Sequence, residues 1–456
     1  MTFIHQWTNL HKCFTTYFLG ELERNHIQYF ILRNYEELPE YNTGKDIDVV
    51  IAPNSYAKVQ DIILHVMSKL EVRYYQVTKF EKMRCWYIMD HEKQFGIHID
   101  IIENEIYKGF EFFRFEYLYQ NTEQYKTFTV LNKPMDTVML LIQNLVAYKS
   151  LKSKYRITIA KNYGLYKDDI NKEIISFWGK KTGQKLITLL ERSDFDSIVS
   201  FANELERKAI VRIFNKRPLY TIGGILRFLC ERSWRVIWCP RKFWRFIAVE
   251  APDGTGKTTF INNLIVELRK YYVSDEARFR VHHFRPSIFP NLGAAGEKAG
   301  VMKQDKNFTA PHRAKPVGRL SSLIRMVYYW LDYIIGIPII LRKEVHYEQY
   351  TIFDRYIYDF LVDPHRSRIN LPRWVRKCFS HLVIQPQIVF VLTAYPGVIY
   401  GRKQELPLVE ISRQLEDFQS LKSLGKHVIF IDANQSPDEM SKQAVATIMD
   451  NFLCKI

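Results

Sequence analysis

Between Phe246 and Leu268 the chain carries the arrangement that most restricts what it can fold into. An apolar run, Phe246-Ile247-Ala248-Val249-Glu250, leads into Ala251-Pro252-Asp253-Gly254-Thr255-Gly256-Lys257-Thr258-Thr259. From Phe260 to Leu268 the apolar residues then recur at helical spacing. A short buried strand, a glycine-bearing turn and a helix, in that order, make a phosphate-binding loop. A loop wrapped around a triphosphate turns its backbone N–H groups inward. Side chains at Gly254 and Gly256 would obstruct that, and the helix behind the loop adds a partial positive charge. Lys257 supplies a mobile cation for the outer phosphates and Thr258 a hydroxyl for magnesium, while Asp253, Thr255 and Thr259 complete the nucleotide cradle. The strict motif opens with glycine, and Ala251 stands there. The competing reading is an ordinary strand, turn and helix that contains Gly-Lys-Thr.

At 456 residues the chain has room for two or three domains, and a hydrophobic fraction of 47% fills their cores. Lys and Arg number 65 against 49 Asp and Glu, a net charge of +16, so a polyanionic partner is expected: nucleotide, nucleic acid, anionic lipid or charged glycan. No strong nucleic-acid signal accompanies the charge. The six cysteines are scattered, with no paired spacing and no histidines at ligand spacing, which suits reduced thiols in a cytoplasmic protein. The first residues lack the build of a signal peptide. The longest apolar run, Tyr333 to Leu341, falls short of the ~20 residues of a spanning helix, so no segment is expected to cross a bilayer.

In the N-terminal third a helical stretch, Leu10 to Asn25, precedes a candidate strand, Gln28 to Leu32. In Thr43-Gly44-Lys45-Asp46-Ile47-Asp48-Val49-Val50-Ile51 the alternation puts Asp46 and Asp48 on one face of a strand. Two carboxylates there repel unless a cation lies between them, and a divalent metal is the natural one. A later strand, Gly96 to Ile102, adds Asp100 among apolar neighbours. Three acids on adjacent strands would hold metals that activate a hydroxyl and neutralise a triphosphate. The plainer alternative is a strand end facing solvent. From about Ile27 to Ile102 this pattern resembles the nucleotidyltransferase fold of the polymerase-β-like superfamily. The Gly-Ser turn of that family is replaced by Leu32-Arg33-Asn34, and Arg33 is a candidate substitute phosphate contact.

From Pro134 to about Lys216 the pattern is helical and punctuated by Lys149, Lys152, Lys154 and Arg156. Leu226 to Arg245 interleaves six basic residues with Phe228, Trp234, Trp238, Phe243 and Trp244. Such a segment either lies on an anionic membrane surface or links two domains. Pro240, which breaks a long amphipathic helix, favours the linker.

Beyond the loop, Arg278 to Pro286 reads as a second strand ending at Arg285. Asn291 to Gly318 reads as a mobile loop over the site and Ser321 to Tyr333 as a helix. Tyr350 to Phe353 reads as a strand that ends in Asp354-Arg355-Tyr356. An acid at that position orients magnesium, and the arginine beside it suits phosphate. Strands at Gln387 to Leu392 and His427 to Asp432 complete the half, with Tyr400-Gly401-Arg402-Lys403-Gln404-Glu405 between them.

From Phe246 onward, the loop, the Phe-Asp-Arg-Tyr strand end and the lid-like Arg402 segment look like thymidylate kinase and its relatives among nucleoside-monophosphate kinases. The resemblance implies that Asp253 faces the acceptor's sugar, Arg285 holds its phosphate and Arg355 sits among the phosphates. Some members carry a catalytic arginine in the loop, where this chain has Gly254. The transition-state charge is then met from the lid, by Arg402 first, with Lys403 or Arg413 behind it. The run after the second strand departs from the family, so the acceptor need not be dTMP. Similarity to two-part relatives raises a phosphorylated sugar or glycan as acceptor, by analogy.

The expected architecture is α/β. A nucleotidyltransferase-like α+β domain spans residues 1–130, a helical region and basic linker 131–244, and a P-loop three-layer parallel-sheet kinase domain 245–456. The expected cofactors are ATP and Mg2+, with Lys257, Asp354, Arg355 and Arg402 catalytic. Two other readings stand beside this one: a nucleotidyltransferase with a regulatory P-loop half, and a non-catalytic nucleotide sensor. The expected place is cytoplasmic, with peripheral contact at the inner membrane face left open.

Overall fold

The computed structural model describes residues 6–42, 46–273, 278–290, 318–346, 349–404, 406–425 and 427–456. All but Gly318 of the loop anticipated at Asn291 to Gly318, the Thr43-Gly44-Lys45 lead into the paired acids, and Glu405 lie outside the described residues. Two compact units result: Met1–Glu231 with Tyr271–Val273 and Cys454–Ile456, and Arg232–Lys270 with Ser274–Leu453.

In the first unit the strands are β1 (Tyr29–Ile31), β2 (Ile47–Ile51), β3 (Tyr74–Phe80), β4 (Met83–Asp90), β5 (Phe95–Ile102), β6 (Glu105–Tyr107), β7 (Phe110–Phe113), β8 (Thr122–Tyr125) and β9 (Phe128–Leu131). All but β6 and β7, which form their own antiparallel pair, join one mixed sheet. The pairing that matters is parallel: β2 lies beside β5 with Asp48 opposite Asp100. Alternation sends Ile47, Val49, Ile51, Ile97, Ile99 and Ile101 to one face, where the helices Asn9–Arg24 and Tyr56–Lys69 bury them. Val50 and Ile102 turn to the other face, with Met135 and Met139 of the helix Lys133–Ile142. Asp48 and Asp100 share that second face. Further helices between Ser153 and Lys216 pack around Leu145, Ile159, Ile174, Leu186 and Leu205. The hairpin of β3 and β4 turns at Glu81, which takes φ +48°, without the glycine or asparagine that announces such a turn in sequence.

The second unit holds β10 (Phe246–Glu250), β11 (Phe279–His283), β12 (Tyr350–Asp354), β13 (Ile388–Thr393) and β14 (Val428–Asp432). They run parallel in the order β11-β12-β10-β13-β14. The short strand β15 (Cys454–Lys455) pairs with β3 in the first unit's sheet. The molecule is thus mixed α/β with a parallel sheet and many helices, compatible with a P-loop kinase-like fold. From central β10 the chain first runs out to the edge at β11, then returns through β12 to the other side. Ligands of open parallel sheets bind at the carboxyl end beside such a reversal. All five residues of β10 are buried, as the apolar run requires.

The helix read at Ser321 to Tyr333 extends much further, over Arg319–His346, with Pro338 inside it. Ile337, Leu341 and Val345 are buried against the sheet, and that packing outweighs the backbone bond the proline removes. Arg319–Val345 is long and apolar enough to cross a membrane, with a mean hydropathy of 1.4, contrary to the expectation drawn from unbroken apolar runs. Its sheet-facing side nevertheless lies in a protein core, where buried Asp332 holds the turn 287–289 by its backbone N–H groups.

Candidate functional site

The loop after β10 curls as its glycines require. Gly254 takes φ +89° and Gly256 φ +96°, conformations open to glycine and strained for other residues. The hydroxyl of buried Thr255 donates to the Pro252 carbonyl at 2.9 Å, closing the curl. A helix then begins at Lys257, with Thr258 and Thr259 exposed in its first turn. Lys257 is ion-paired with Asp354, the last residue of neighbouring β12, and His283 Nδ1 lies 3.0 Å from the same carboxylate. Burial, then the Arg355 charge, pull the Lys257 ammonium down to about 8 against Glu250, Asp253 and Asp359. The loop, its lysine and the strand-end acid expected from sequence therefore meet.

Arg355 is buried with φ +73°, an uncommon conformation for a non-glycine residue, and its N–H donates to the Val249 carbonyl. Its guanidinium is ion-paired with Asp253 and lies 4.0 Å from Asp359. Burial would lower its pKa, but Asp359, Asp253 and Glu250 together hold it above the ordinary value. Arg366 reaches the other oxygen of Asp253 at 2.8 Å. Beneath them Glu250 accepts the Tyr356 N–H at 2.7 Å. Burial raises Glu250 well above the usual range, and raises Asp359 to about 7.

The remaining expected residues divide. Arg402 donates to the Thr255 carbonyl at 3.3 Å and to the Ala433 carbonyl at 3.4 Å, so the lid arginine does reach the loop. A side chain at Gly254 would stand 3.0 Å from Lys403 Cβ, so the segment carrying Arg402 abuts the position where a loop arginine would sit. Arg413 is bound to Glu410, Asp417 and the Val362 carbonyl. Arg285, buried, donates to Asp332 at 3.0 Å. Arg366 and His283 went unread in the sequence. Neither lies in a motif, and their positions follow from folding of segments remote from the loop.

In the first unit, Asp46, Asp48 and Asp100 each offer a carboxylate oxygen within 4.8 Å of the others. Arg33, just past β1 on the side of β2 away from β5, donates from Nε to Asp48 at 2.5 Å and from Nη1 to Gln143 at 3.1 Å. Burial above all, helped by Asp46 and Asp100 against Arg33, pushes the Asp48 carboxyl up to about 7. Burial also acts to raise Asp100, but His98, 2.9 Å away, and Cys85 bring it below the usual range. Arg33 is itself held above its ordinary value, first by Asp48. The acids open onto a cavity of about 360 Å³, lined also by Lys82, Asn104, Tyr107 and Tyr148. Hard oxygen donors of this number suit a divalent cation. Arg33, a candidate phosphate contact in the sequence, is hydrogen-bonded to Asp48.

No family model matches the sequence, and no curated protein matches it. Among solved structures, thymidylate kinase from Ehrlichia chaffeensis is similar over 44% of this chain and 97% of its own, at 16% identity and a TM-score of 0.30.

Proposed function

We propose that the protein is an ATP- and magnesium-dependent phosphoryl transferase of the thymidylate kinase-like class, acting on a nucleoside monophosphate or a phosphorylated sugar or glycan. The observation that carries this reading is the meeting of Lys257 with Asp354 under a loop held open by two left-handed glycines. The triphosphate takes Lys257 from Asp354, exchanging one anionic partner for another. Thr258 and Asp354 supply the hard oxygens that magnesium takes, and the ion would neutralise the outer phosphates. An acceptor oxygen bonds to the γ phosphorus as the bond to the β,γ-bridging oxygen breaks, and ADP leaves. Asp253, Arg355 and Arg285 hold the acceptor, with Arg366 added to that group because it shares Asp253. Arg402, hydrogen-bonded to a loop carbonyl, would meet charge that develops in the transition state.

A second reading has an observation of its own. Asp48 faces Asp100 across parallel strands with Asp46 beside them, which supports metal-dependent nucleotidyl transfer in the first unit. One experiment separates the two: incubation with ATP and magnesium and a panel of nucleoside monophosphates and sugar phosphates, read by mass spectrometry. A product heavier by one phosphoryl group supports the kinase reading. A product heavier by a nucleotidyl group, or no product across the panel, overturns it.

A further inference from the structure

The helix Arg319–His346 presses Met326, Tyr333, Ile337 and Leu341 onto the parallel sheet, yet its opposite side is not polar. Leu320, Ile324, Leu331, Ile335 and Ile339 all stand exposed there, Ile324 by 63% and Ile339 by 49%. They recur four or seven residues apart, which is a single stripe of an α-helix. The stripe runs roughly 30 Å at the helical rise. Beside its carboxyl end packs the one-turn helix Trp234–Trp238, whose Val236 and Ile237 line a groove with Ile339. Arg232, Arg342 and Lys343 line the same groove, and no carboxylate is among its described lining residues. Trp234 and Trp238 are 54% and 69% exposed, with ring centroids 5.7 Å apart.

We propose that this face docks the protein on an anionic lipid surface, lying in the interface rather than spanning the bilayer. A stripe of large aliphatic side chains facing outward loses free energy to water unless something apolar covers it. Tryptophan sits well at the boundary between headgroups and acyl chains, and arginine and lysine beside it meet lipid phosphate and carboxylate groups. A second copy of the chain is a poorer cover. It would set Arg232, Arg342 and Lys343 against a molecule of net charge +16. The helix's other side packs on the sheet, which favours lying in the interface over spanning. The proposal stands whether or not the phosphoryl-transfer reading holds.

The test is sedimentation of the full chain with vesicles of phosphatidylcholine alone and of phosphatidylcholine doped with phosphatidylserine. The expected result is binding to the anionic vesicles, weakened by salt and nearly absent on the neutral ones. Arg342→Ala and Lys343→Ala should each lower the partition roughly fivefold, and Ile335→Ser with Ile339→Ser should lower it further. Both sets of side chains are exposed, and unchanged melting curves would show the fold intact. Equal sedimentation with both vesicle types, or with neither, overturns the proposal. So does a dimer in light scattering that Ile335→Glu separates without any vesicle binding, which would assign the stripe to self-association.

Discussion

Around β2 and β5 three carboxylates meet one arginine and one histidine, His98, whereas at the ends of β10 and β12 Asp253 meets two arginines and Asp354 meets a lysine and a histidine. In the first cluster burial, with Asp46 and Asp100 adding to it against Arg33, lifts the Asp48 carboxyl to about 7. In the second, Asp253 and Asp354 are paired with basic side chains, so an incoming anion must break existing pairs, and burial holds the Lys257 ammonium down at about 8. On the proposed reading the first site would take a cation and the second an anion. Burial is the largest cause of both shifts, raising the Asp48 carboxyl and lowering the Lys257 ammonium, because in each case it disfavours the charged form.

The comparison is broken most severely by Lys257→Ala. Phosphoryl transfer from labelled ATP should fall by at least about 10³-fold, because the cation for the outer phosphates is gone. Transfer at the parental rate would remove the loop from the reaction. Next comes Arg402→Ala, expected to lower kcat by roughly 10²-fold with ATP affinity little changed, since its present bonds are to carbonyls of the loop and of Ala433. An equal loss in ATP binding measured by calorimetry would make it a ground-state contact.

Asp48→Asn sharpens the other side. A carboxyl raised from 3.8 to about 7 in the folded protein binds more protons folded than unfolded between those values. Its contribution to stability is present below the lower value and is lost as pH rises through the upper one. The amide should therefore melt higher than the parent at pH 8, by on the order of 2 kcal/mol, and equally near pH 4. The parent's thermal stabilisation by Mn2+ should grow as pH passes 7 and should be absent in the variant. A variant that melts lower at pH 8 and keeps the Mn2+ effect would mean the three acids are not a cation site.

The smallest effect separates the two glycines. Gly254→Ala meets Lys403 Cβ at 3.0 Å in addition to its positive φ, while Gly256→Ala meets open space. Thermal melts should show losses of about 2 and about 1 kcal/mol. Equal losses would mean that the Arg402 segment does not rest on the loop.

Much of this was legible in the residues themselves. Strand, glycine turn and helix around Lys257 are local preferences, and the alternation that puts Asp46 and Asp48 on one face needs no more than the two-residue period of a strand. The helix Asn9–Arg24 and the strands at Asp354 and Asp432 fall within a residue or two of where their patterns place them. Illegible were the helix continuing through Pro338, where sheet packing overrides local propensity, and the hairpin at Glu81, which lacks turn residues.

By itself the sequence determined a strand, glycine turn and helix around Lys257, a carboxylate within β2 at Asp48 with a second, Asp46, just before the strand, and an excess of positive charge. These depend on neighbours in the chain, whose spacing is written in order. Tertiary structure alone decided that Asp48 stands opposite Asp100 with Arg33 against it, that Arg366 shares Asp253 with Arg355, and that His283 joins Lys257 at Asp354. Those contacts join segments up to 113 residues apart, Asp253 to Arg366 being the longest. They are set by strand register and by the burial of many side chains at once, neither of which a local pattern encodes.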